Sequence, residues 1–368
     1  MLLVINIFVK NPLFNIYLQL NLNLFLEKIN TNNFDFLRFV FALTVAISHF
    51  IELSAVEFFL PIKKFFNTRL AIDGFFIISG FLIAKSFEVS LTTKDYIIRR
   101  IKRIFPAYFF VILISAFFLF FISSKSATEY FLNGQFWSYL LANLSFQNYF
   151  EPCLPGVFET HKICAVNGAL WTIKIEEAFY LSVPLFYWLF KKKYISFNLL
   201  IVTTYVASII YFNYFLAQNN YRVAKQLPGA FSFFAVGILF YRNFDFLFKW
   251  KHLIIIPSLL LFILEQYVLE TQIFKPIAYG FMVYYLAYNF KFLNNFGKYG
   301  DFTYGIYIYH FPLIQVFIYF GLFDVYSPLL MFISTIILVL FLAILSWNYI
   351  ELPFLPPSRK KRHQQMFN

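Results

Sequence analysis

Apolar runs long enough to cross a bilayer recur along the whole of this chain. A membrane-spanning helix needs about 20 mostly apolar residues. Charged residues, Pro and Gly divide the sequence into ten such runs, at about 35–52, 70–87, 104–122, 170–190, 195–214, 228–242, 253–269, 275–290, 303–321 and 328–349. The alternation of barrel strands is absent, and a backbone in lipid must satisfy its own hydrogen bonds. We therefore predict an all-α protein, a polytopic transmembrane helical bundle of about ten spans.

The composition favours a membrane protein over a nucleic-acid-binding one. Hydrophobic residues make up 61% of the chain and charged residues 13%, whereas a soluble domain is about 25% charged. The net charge of +12 would suit nucleic acid. However, the basic residues stand in short clusters between apolar runs, as membrane topology requires. We expect the lipid bilayer as a partner and no nucleic acid.

The distribution of basic residues predicts the orientation of the chain. With both termini cytoplasmic, the inner flanks hold 20 Lys and Arg and the outer flanks hold 8, and cytoplasmic loops carry the excess. Residues 355–368 then form a basic cytoplasmic tail. Residues 1–32 form an N-terminal extension that lacks the basic region and cleavage site of a signal peptide. We interpret it as an interfacial helix or the product of a misassigned start codon.

Ionisable residues inside the first apolar run mark a candidate functional site, because they are costly in a membrane. This run carries Asp35, Arg38 and His49. The 11-residue step from Arg38 to His49 returns to the same helical face within about 20° and spans roughly 16–17 Å. That distance is comparable to the extended pantetheine arm of coenzyme A. A snorkelling arginine and a packed core histidine explain the pattern equally well.

Three more carboxylates lie within apolar runs. Asp73 lies about one turn below the outer end of the second run, near the predicted depth of His49. Glu176 and Glu177 lie roughly 7–9 Å into the fourth run, beyond Trp171 at the outer interface. Adjacent carboxylates at this depth are hard to explain by packing, so we predict that they are functional.

Two further features allow alternative interpretations. Arg100 and Arg103 lie one helical turn apart in a basic cluster, which suits either a paired guanidinium site for phosphate or a positive cytoplasmic flank. His310 lies near mid-membrane in the ninth run and suits a structural hydrogen bond as well as catalysis. No cluster of His, Cys and carboxylates has metal-ligand spacing, so we expect no metal.

The longest outer segment, 123–168, holds both cysteines of the chain. Cys153 and Cys164 are predicted to lie outside the cytoplasm, where an oxidising compartment favours pairing. We predict a disulfide, with two free thiols as the alternative. Within the same segment, the interrupted apolar stretch 129–150 predicts a helix on the membrane surface.

Six blocks in order along residues 33–354 carry a resemblance to a known family. They are Asp35 to His49 with Arg38, DGFFIISGFLI at 73–83, RIKRIFP at 100–106, NGALWTIKIEEAFY at 167–180, TYGIYIYHFP at 303–312 and IELPF at 350–354. The chain resembles the membrane acyltransferase 3 family, the O-acyltransferases of bacterial surface polysaccharides. We therefore assign residues 33–354 to a membrane acyltransferase domain. The family pattern has one Glu shortly before Phe-Tyr, which selects Glu176 over Glu177.

The resemblance implies a reaction and a location. The enzyme would move an acyl group, usually acetyl, from cytoplasmic acyl-CoA to a hydroxyl of a surface polysaccharide, such as capsule or lipopolysaccharide, or of its lipid-linked precursor. It would lie in the bacterial inner membrane, with acyl-CoA as a co-substrate and no permanently bound cofactor. A transporter or flippase would also place ionisable groups at mid-membrane. Inverted repeats would favour that alternative, and none is visible in the sequence.

A single hypothesis joins the residue pattern to the resemblance. Arg38, Arg100 and Arg103 hold the phosphates of the acyl donor at the cytoplasmic mouth. His49 deprotonates the acceptor hydroxyl or takes the acyl group itself, and Asp73 or Glu176 orients the imidazole. The supporting residues of this hypothesis are Asp35, Trp171, Tyr180, Tyr304 and His310.

Overall fold

The computed structural model describes residues 28–191, 196–294 and 296–356, and this part of the chain is a helical bundle without β-strands. The prediction of an all-α fold is confirmed. The longer helices are α1 (Phe34–Ser54), α2 (Thr68–Glu88), α3 (Thr93–Phe118), α4 (Gly134–Leu144), α5 (Trp171–Lys191), α6 (Phe197–Ala217), α7 (Leu227–Arg242), α8 (Phe244–Leu264), α9 (Lys275–Asn289), α10 (Thr303–Tyr319) and α11 (Pro328–Ser346).

Polar side chains begin several of these helices. Asn67 accepts a hydrogen bond from the backbone N–H of the third residue of α2. Ser196 and Ser327 cap α6 and α11 in the same way. Such caps satisfy backbone donors that have no partner inside the helix, so these polar residues set where the apolar runs become helical.

Seven helical segments in the described ranges are long and apolar enough to cross a membrane. They are Lys28–Ser54, Thr68–Glu88, Thr93–Ile122, Phe197–Ala217, Tyr221–Arg242, Phe244–Leu269 and Pro328–Phe354. The three other predicted spans are also helical, but α9 has 15 residues and α10 has 17, and the charged residues of α5 lower its hydropathy. The count of ten spans and the cytoplasmic termini therefore stay predictions. Most of the predicted extension and tail lies outside the described residues.

Close helix packing brings the predicted site residues into one region. A Cβ atom on Gly80 of α2 would lie 2.1 Å from the carbonyl oxygen of Phe234, and one on Gly237 of α7 would lie 2.1 Å from that of Ile77. Only glycines permit this approach of two backbones, which is typical of helices packed in membranes. α2 also packs against α1 and α5, and α1 packs against α10. The helices that carry most of the predicted site are therefore neighbours.

The segment between α3 and α5 is fastened to α10. Cys153 and Cys164 are joined in a disulfide, with their Cα atoms 5.5 Å apart. The side-chain amide of Gln315 donates to two backbone carbonyl oxygens of this segment, at 2.7 and 2.9 Å. The amide of Asn167 in turn donates to the carbonyl oxygen of Ile308 at 2.8 Å. The segment thus rests on the helix that carries His310.

The predicted surface helix at 129–150 is divided into two. Ala127–Phe131 and α4 are separated at Asn133, whose side chain accepts a hydrogen bond from the N–H of Gln135 at 2.8 Å. Trp137 and Leu141 of α4 are 59% and 74% exposed. These exposed apolar side chains suit a helix that contacts lipid headgroups.

The disulfide gives a test of the predicted topology. In intact cells, a membrane-impermeant maleimide is expected to label the protein only after reduction, because the predicted orientation puts the segment outside the cytoplasm and both thiols are paired. A disulfide across 11 residues typically stabilises a fold by ~2–3 kcal/mol. In the matched variant Cys153→Ser, the thiol of Cys164 should react without reduction. Labelling that requires opening of the membrane would place this segment in the cytoplasm and reverse the predicted orientation.

Candidate active site

Two histidines meet between α1 and α10. His49 Nδ1 lies 2.8 Å from His310 Nε2, and the two rings are stacked with their planes 16° apart. His310 is completely buried, whereas His49 keeps part of its surface accessible. The edge of the Phe311 ring packs against His49 at a centroid distance of 5.4 Å. The pair therefore has one completely buried member and one that is partly buried.

The hydrogen bonds of the buried histidine assign the protons of both rings. His310 Nδ1 lies 2.9 Å from the carbonyl oxygen of Ile306. A carbonyl oxygen only accepts, so Nδ1 of His310 carries the proton and its Nε2 is the acceptor. His49 must then donate from Nδ1, which leaves the lone pair on its Nε2 free. That is the protonation state that a general base or a nucleophile needs.

A second group of predicted residues lines a cavity at the other end of α1. This inner cavity has a volume of about 360 Å³. Five basic residues and two carboxylates line it, namely Arg38, Lys85, Arg99, Arg100, Arg103, Glu176 and Asp301. The three arginines predicted to bind phosphate are thus brought together, on α1 and α3. The excess of positive charge makes the cavity suited to an anionic ligand.

Asp301 links two of these arginines. Its Oδ2 accepts hydrogen bonds from Arg38 at 2.8 Å and from Arg103 at 2.7 Å. Arg103 also donates to Glu351 at 2.5 Å, and that carboxylate is 1% exposed. Because Asp301 and the buried Glu351 fix the positions of Arg38 and Arg103, the wall of the cavity is ordered before any ligand binds.

Arg100 is held in a different way. One of its terminal nitrogens donates to Ser86 Oγ at 3.1 Å, and its guanidinium lies over the ring of Tyr180 at 5.7 Å. Its Nε has no hydrogen-bond partner among the described residues. Arg100 is therefore positioned by an aromatic face and keeps hydrogen-bonding capacity for a ligand.

Comparison with known proteins identifies the family. Residues 31–348 match the model of an acyltransferase domain, acyltransferase family 3. The chain belongs to this family. An O-acetyl transferase of Shigella phage Sf6 is 28% identical over 351 residues, which cover 90% of this chain and 98% of that protein. Nodulation protein 10 of Rhizobium leguminosarum bv. viciae is 25% identical over 347 residues, which cover 88% and 92% of the two chains. No solved structure matches.

The acyltransferase family and the apolar helices together establish the class of this protein. It is a multi-pass membrane protein and an O-acyltransferase. The match covers the helices that carry both the histidine pair and the inner cavity. The histidine pair and the inner cavity are therefore the candidate sites of acyl transfer.

The two carboxylates expected to orient His49 have other partners in this acyltransferase. Asp73 is completely buried and pairs with Arg69, one turn earlier on α2, at 2.9 Å. Glu176 lines the inner cavity and accepts hydrogen bonds from Ser79, at 3.1 Å, and from the hydroxyl of Tyr180. In the described part of the chain, His49 Nδ1 instead donates its hydrogen bond to Nε2 of His310.

The supporting residues also have defined places. Asp35 lies 3.7 Å from Arg38, and the guanidinium of Arg103 lies 5.6 Å from the centroid of the Tyr304 ring. Trp171 begins α5 and lies under the ammonium of Lys225 at 4.8 Å. Asp35 and Tyr304 thus support the inner cavity, and Trp171 belongs to a different surface.

Sequence reasoning missed several groups that shape the acyltransferase site. Glu351 stands in the family-like block at 350–354, but nothing in that block predicts that it pairs with Arg103. Arg69 stands four residues before Asp73, and that spacing alone predicts a pair on one helical face. Lys85 and Arg99 line the inner cavity, and nothing in their local sequence separates them from an ordinary positive flank.

Proposed function

We propose that this protein is a bacterial inner-membrane O-acetyltransferase that moves the acetyl group of cytoplasmic acetyl-CoA to a hydroxyl of a surface polysaccharide or its lipid-linked precursor. One observation carries the proposal: a single face of α1 joins the inner cavity to the histidine pair. Arg38 lines the cavity, and His49 lies 11 residues further on, roughly 16–17 Å along the axis. An extended pantetheine arm has this length.

The inner cavity suits the phosphates of coenzyme A. Its basic residues outnumber its carboxylates, and phosphate oxygens accept strong hydrogen bonds from guanidinium groups. Asp301 forms ion pairs with Arg38 and Arg103, so these two arginines form the fixed wall of the inner cavity. Arg100, with Arg99 beside it, is the primary contact for phosphate. Glu176 on α5 accepts hydrogen bonds from Ser79 and Tyr180, and these bonds fix its position in the wall of the inner cavity.

His49 supplies the chemistry of the transfer. The free lone pair on Nε2 takes the proton of the acceptor hydroxyl, and the oxygen attacks the carbonyl carbon of the thioester. The carbon–sulfur bond breaks, and the thiolate of coenzyme A leaves and is protonated. Alternatively, Nε2 attacks the thioester first and the carbon–sulfur bond breaks, which releases the coenzyme A thiolate; the acyl-imidazole then passes the acetyl group to the hydroxyl, whose proton goes to that thiolate, and the imidazole is regenerated. Both routes need the same tautomer, which the bond to His310 favours.

The relatives support acetyl as the transferred group. The relative from Shigella phage Sf6 is named as an O-acetyl transferase, and it aligns with almost the whole of this chain. The disulfide-bonded segment rests on the helix that carries His310. We assign the acceptor to this outer side, because the donor occupies the cytoplasmic end of α1.

Arg100→Ala is expected to raise the apparent KM for acetyl-CoA about tenfold or more in isolated membranes. Each hydrogen bond between charged groups is worth roughly 1.5–3 kcal/mol, and a tenfold change corresponds to about 1.4 kcal/mol. Arg100→Lys should recover only part of the affinity, because a point charge does not replace the guanidinium fork. The measurement is the transfer of radiolabelled acetyl groups to the glycan fraction as acetyl-CoA is varied.

Lys102→Ala is the matched control for this experiment. Lys102 is an exposed basic residue on the same helix, and it lies outside the cavity lining. It should leave the KM unchanged. If Arg100→Ala and Lys102→Ala titrate acetyl-CoA like the wild type, Arg100 is only a topological flank and the donor site lies elsewhere.

A further inference from the structure

A second cavity, of about 560 Å³, opens beside the other end of α1. It lies among the end of α1, the start of α2 and the 3-10 helix Glu57–Phe65 between them. Ser48, the residue before His49, contributes to its wall. The charged residues of the wall are Glu52, Lys63, Lys64 and Arg69. A ligand in this cavity would lie close to the reactive histidine.

The basic groups of this cavity outnumber the carboxylates that pair with them. Lys63 pairs with Glu52 at 3.3 Å, whereas Lys64 forms no ion pair within the described ranges. Arg69 uses its Nε for Asp73. Both of its terminal nitrogens are buried and have no hydrogen-bond partner among the described residues. The guanidinium of Arg69 lies 5.7 Å and 6.0 Å from the ring centroids of Phe212 and Phe233, so its charge adds to the positive potential of the cavity although its terminal donors are buried.

Two lysines that do not line the cavity, Lys225 and Lys275, add positive charge near Arg69. Lys225 and Lys275 both lie within electrostatic reach of Arg69; the carboxylates within reach are Glu52 for Lys225, and Asp73 and Glu265 for Lys275. The outer basic recess thus comprises Lys63, Lys64, Arg69, Lys225 and Lys275. These are five of the eight basic residues on the predicted outer flanks. Since outer flanks of membrane proteins are poor in basic residues, membrane topology does not account for this concentration.

We propose that the outer basic recess binds the acidic group of the acceptor, a sugar that bears a carboxylate or a phosphate. Guanidinium and ammonium groups recognise both oxyanions. An oxyanion held there would place a hydroxyl of the same sugar unit, or of the next one, at His49. Trp171 holds the ammonium of Lys225 by a cation–π contact and offers an aromatic face at the edge of the recess. The inference rests on the proposed function and specifies the chemical class of its acceptor.

The test is ligand-induced thermal stabilisation of the purified full-length protein in detergent. The probes are glucuronate, glucose 6-phosphate, glucose and inorganic phosphate. Glucuronate and glucose 6-phosphate should raise the Tm and glucose should not, and the effect should weaken as salt rises. In the double variant K63Q/K64Q, the apparent Kd for both acidic sugars should rise at least tenfold. Lys125→Gln, an exposed lysine of the outer segment, should bind like the wild type.

Several outcomes would overturn the inference. These are equal stabilisation by glucose, unchanged binding of acidic sugars to K63Q/K64Q, and a response to inorganic phosphate as large as that to glucose 6-phosphate. Nanodiscs with and without phosphatidylglycerol provide a further comparison. If only the anionic lipid stabilises the protein, and K63Q/K64Q loses that effect, the recess binds a lipid headgroup instead.

Coenzyme A binding separates this inference from the proposed function. K63Q/K64Q should bind coenzyme A with the wild-type Kd, because the inner cavity lies at the opposite end of α1. Loss of acidic-sugar binding with unchanged coenzyme A binding supports the recess. A wild-type protein that binds acidic sugars but not coenzyme A would contradict the proposed donor and leave the recess supported.

Discussion

His49→Ala should reduce O-acylation by at least about 10³-fold, while the protein accumulates in the membrane at the wild-type level. Removal of a general base alone costs roughly 10²–10⁴-fold, and removal of a nucleophile abolishes the covalent route. The fold should persist, because the side chain is only partly buried. The measurement is the acetyl content of the surface polysaccharide by NMR, with immunoblotting of the membrane fraction.

His252→Ala is the control for this substitution. His252 is exposed on α8, and its hydrogen-bond partner is Tyr285, at 3.4 Å. This variant should retain full acylation. The His49→Ala protein should still bind coenzyme A, since the inner cavity is intact. Wild-type acetyl content in the His49→Ala strain would remove His49 from the mechanism.

The first helix shows how far sequence alone reaches. The periodicity of α1 is local information, so the shared face of Arg38 and His49 follows from residue spacing. The spacing of Arg100 and Arg103, one helical turn apart, is also local. In both cases an apolar run defines the helix, and helical geometry then places the polar residues.

The partners of these residues depend on distant parts of the chain. His310 is 261 positions from His49, and Asp301 is 263 positions from Arg38. Spacing cannot reveal such contacts, because they depend on which helices are neighbours. For that reason Asp73 was a reasonable candidate partner of His49 at similar depth, although its nearer neighbour Arg69 binds it in the structure.

The number of predicted membrane spans shows a second limit of prediction from sequence. Hydropathy identifies helices that face lipid, such as α8 and α11, which are strongly apolar. Two of the helices that carry site residues, α5 and α10, are more polar or shorter than such spans. α10 is almost completely buried along its first turns, and α5 carries Glu176 and Glu177. A measure of apolar length therefore identifies α1, α2 and α3 but underrates α5 and α10.

The histidine pair leads to the second large effect. His310→Leu removes the acceptor for His49 Nδ1–H with little change in volume, and kcat should fall roughly 10²–10³-fold. In catalytic triads, loss of the correct imidazole tautomer costs up to about 10⁴-fold. The KM for acetyl-CoA should not change, because the inner cavity is distant. This split between kcat and KM marks His310 as a positioning residue.

His310→Gln distinguishes positioning from packing. The amide oxygen of Gln can accept the hydrogen bond from His49 Nδ1, so this variant should keep at least ten times more activity than His310→Leu. Because residue 310 is completely buried, both variants need melting temperatures measured in detergent. Equal activity of the two variants at equal stability would show that the hydrogen bond is not used. We expect a graded loss of activity, with Gln above Leu and the KM constant. His310 donates a hydrogen bond to the carbonyl oxygen of Ile306 and accepts one from His49 Nδ1, and this leaves the reactive lone pair of His49 on Nε2.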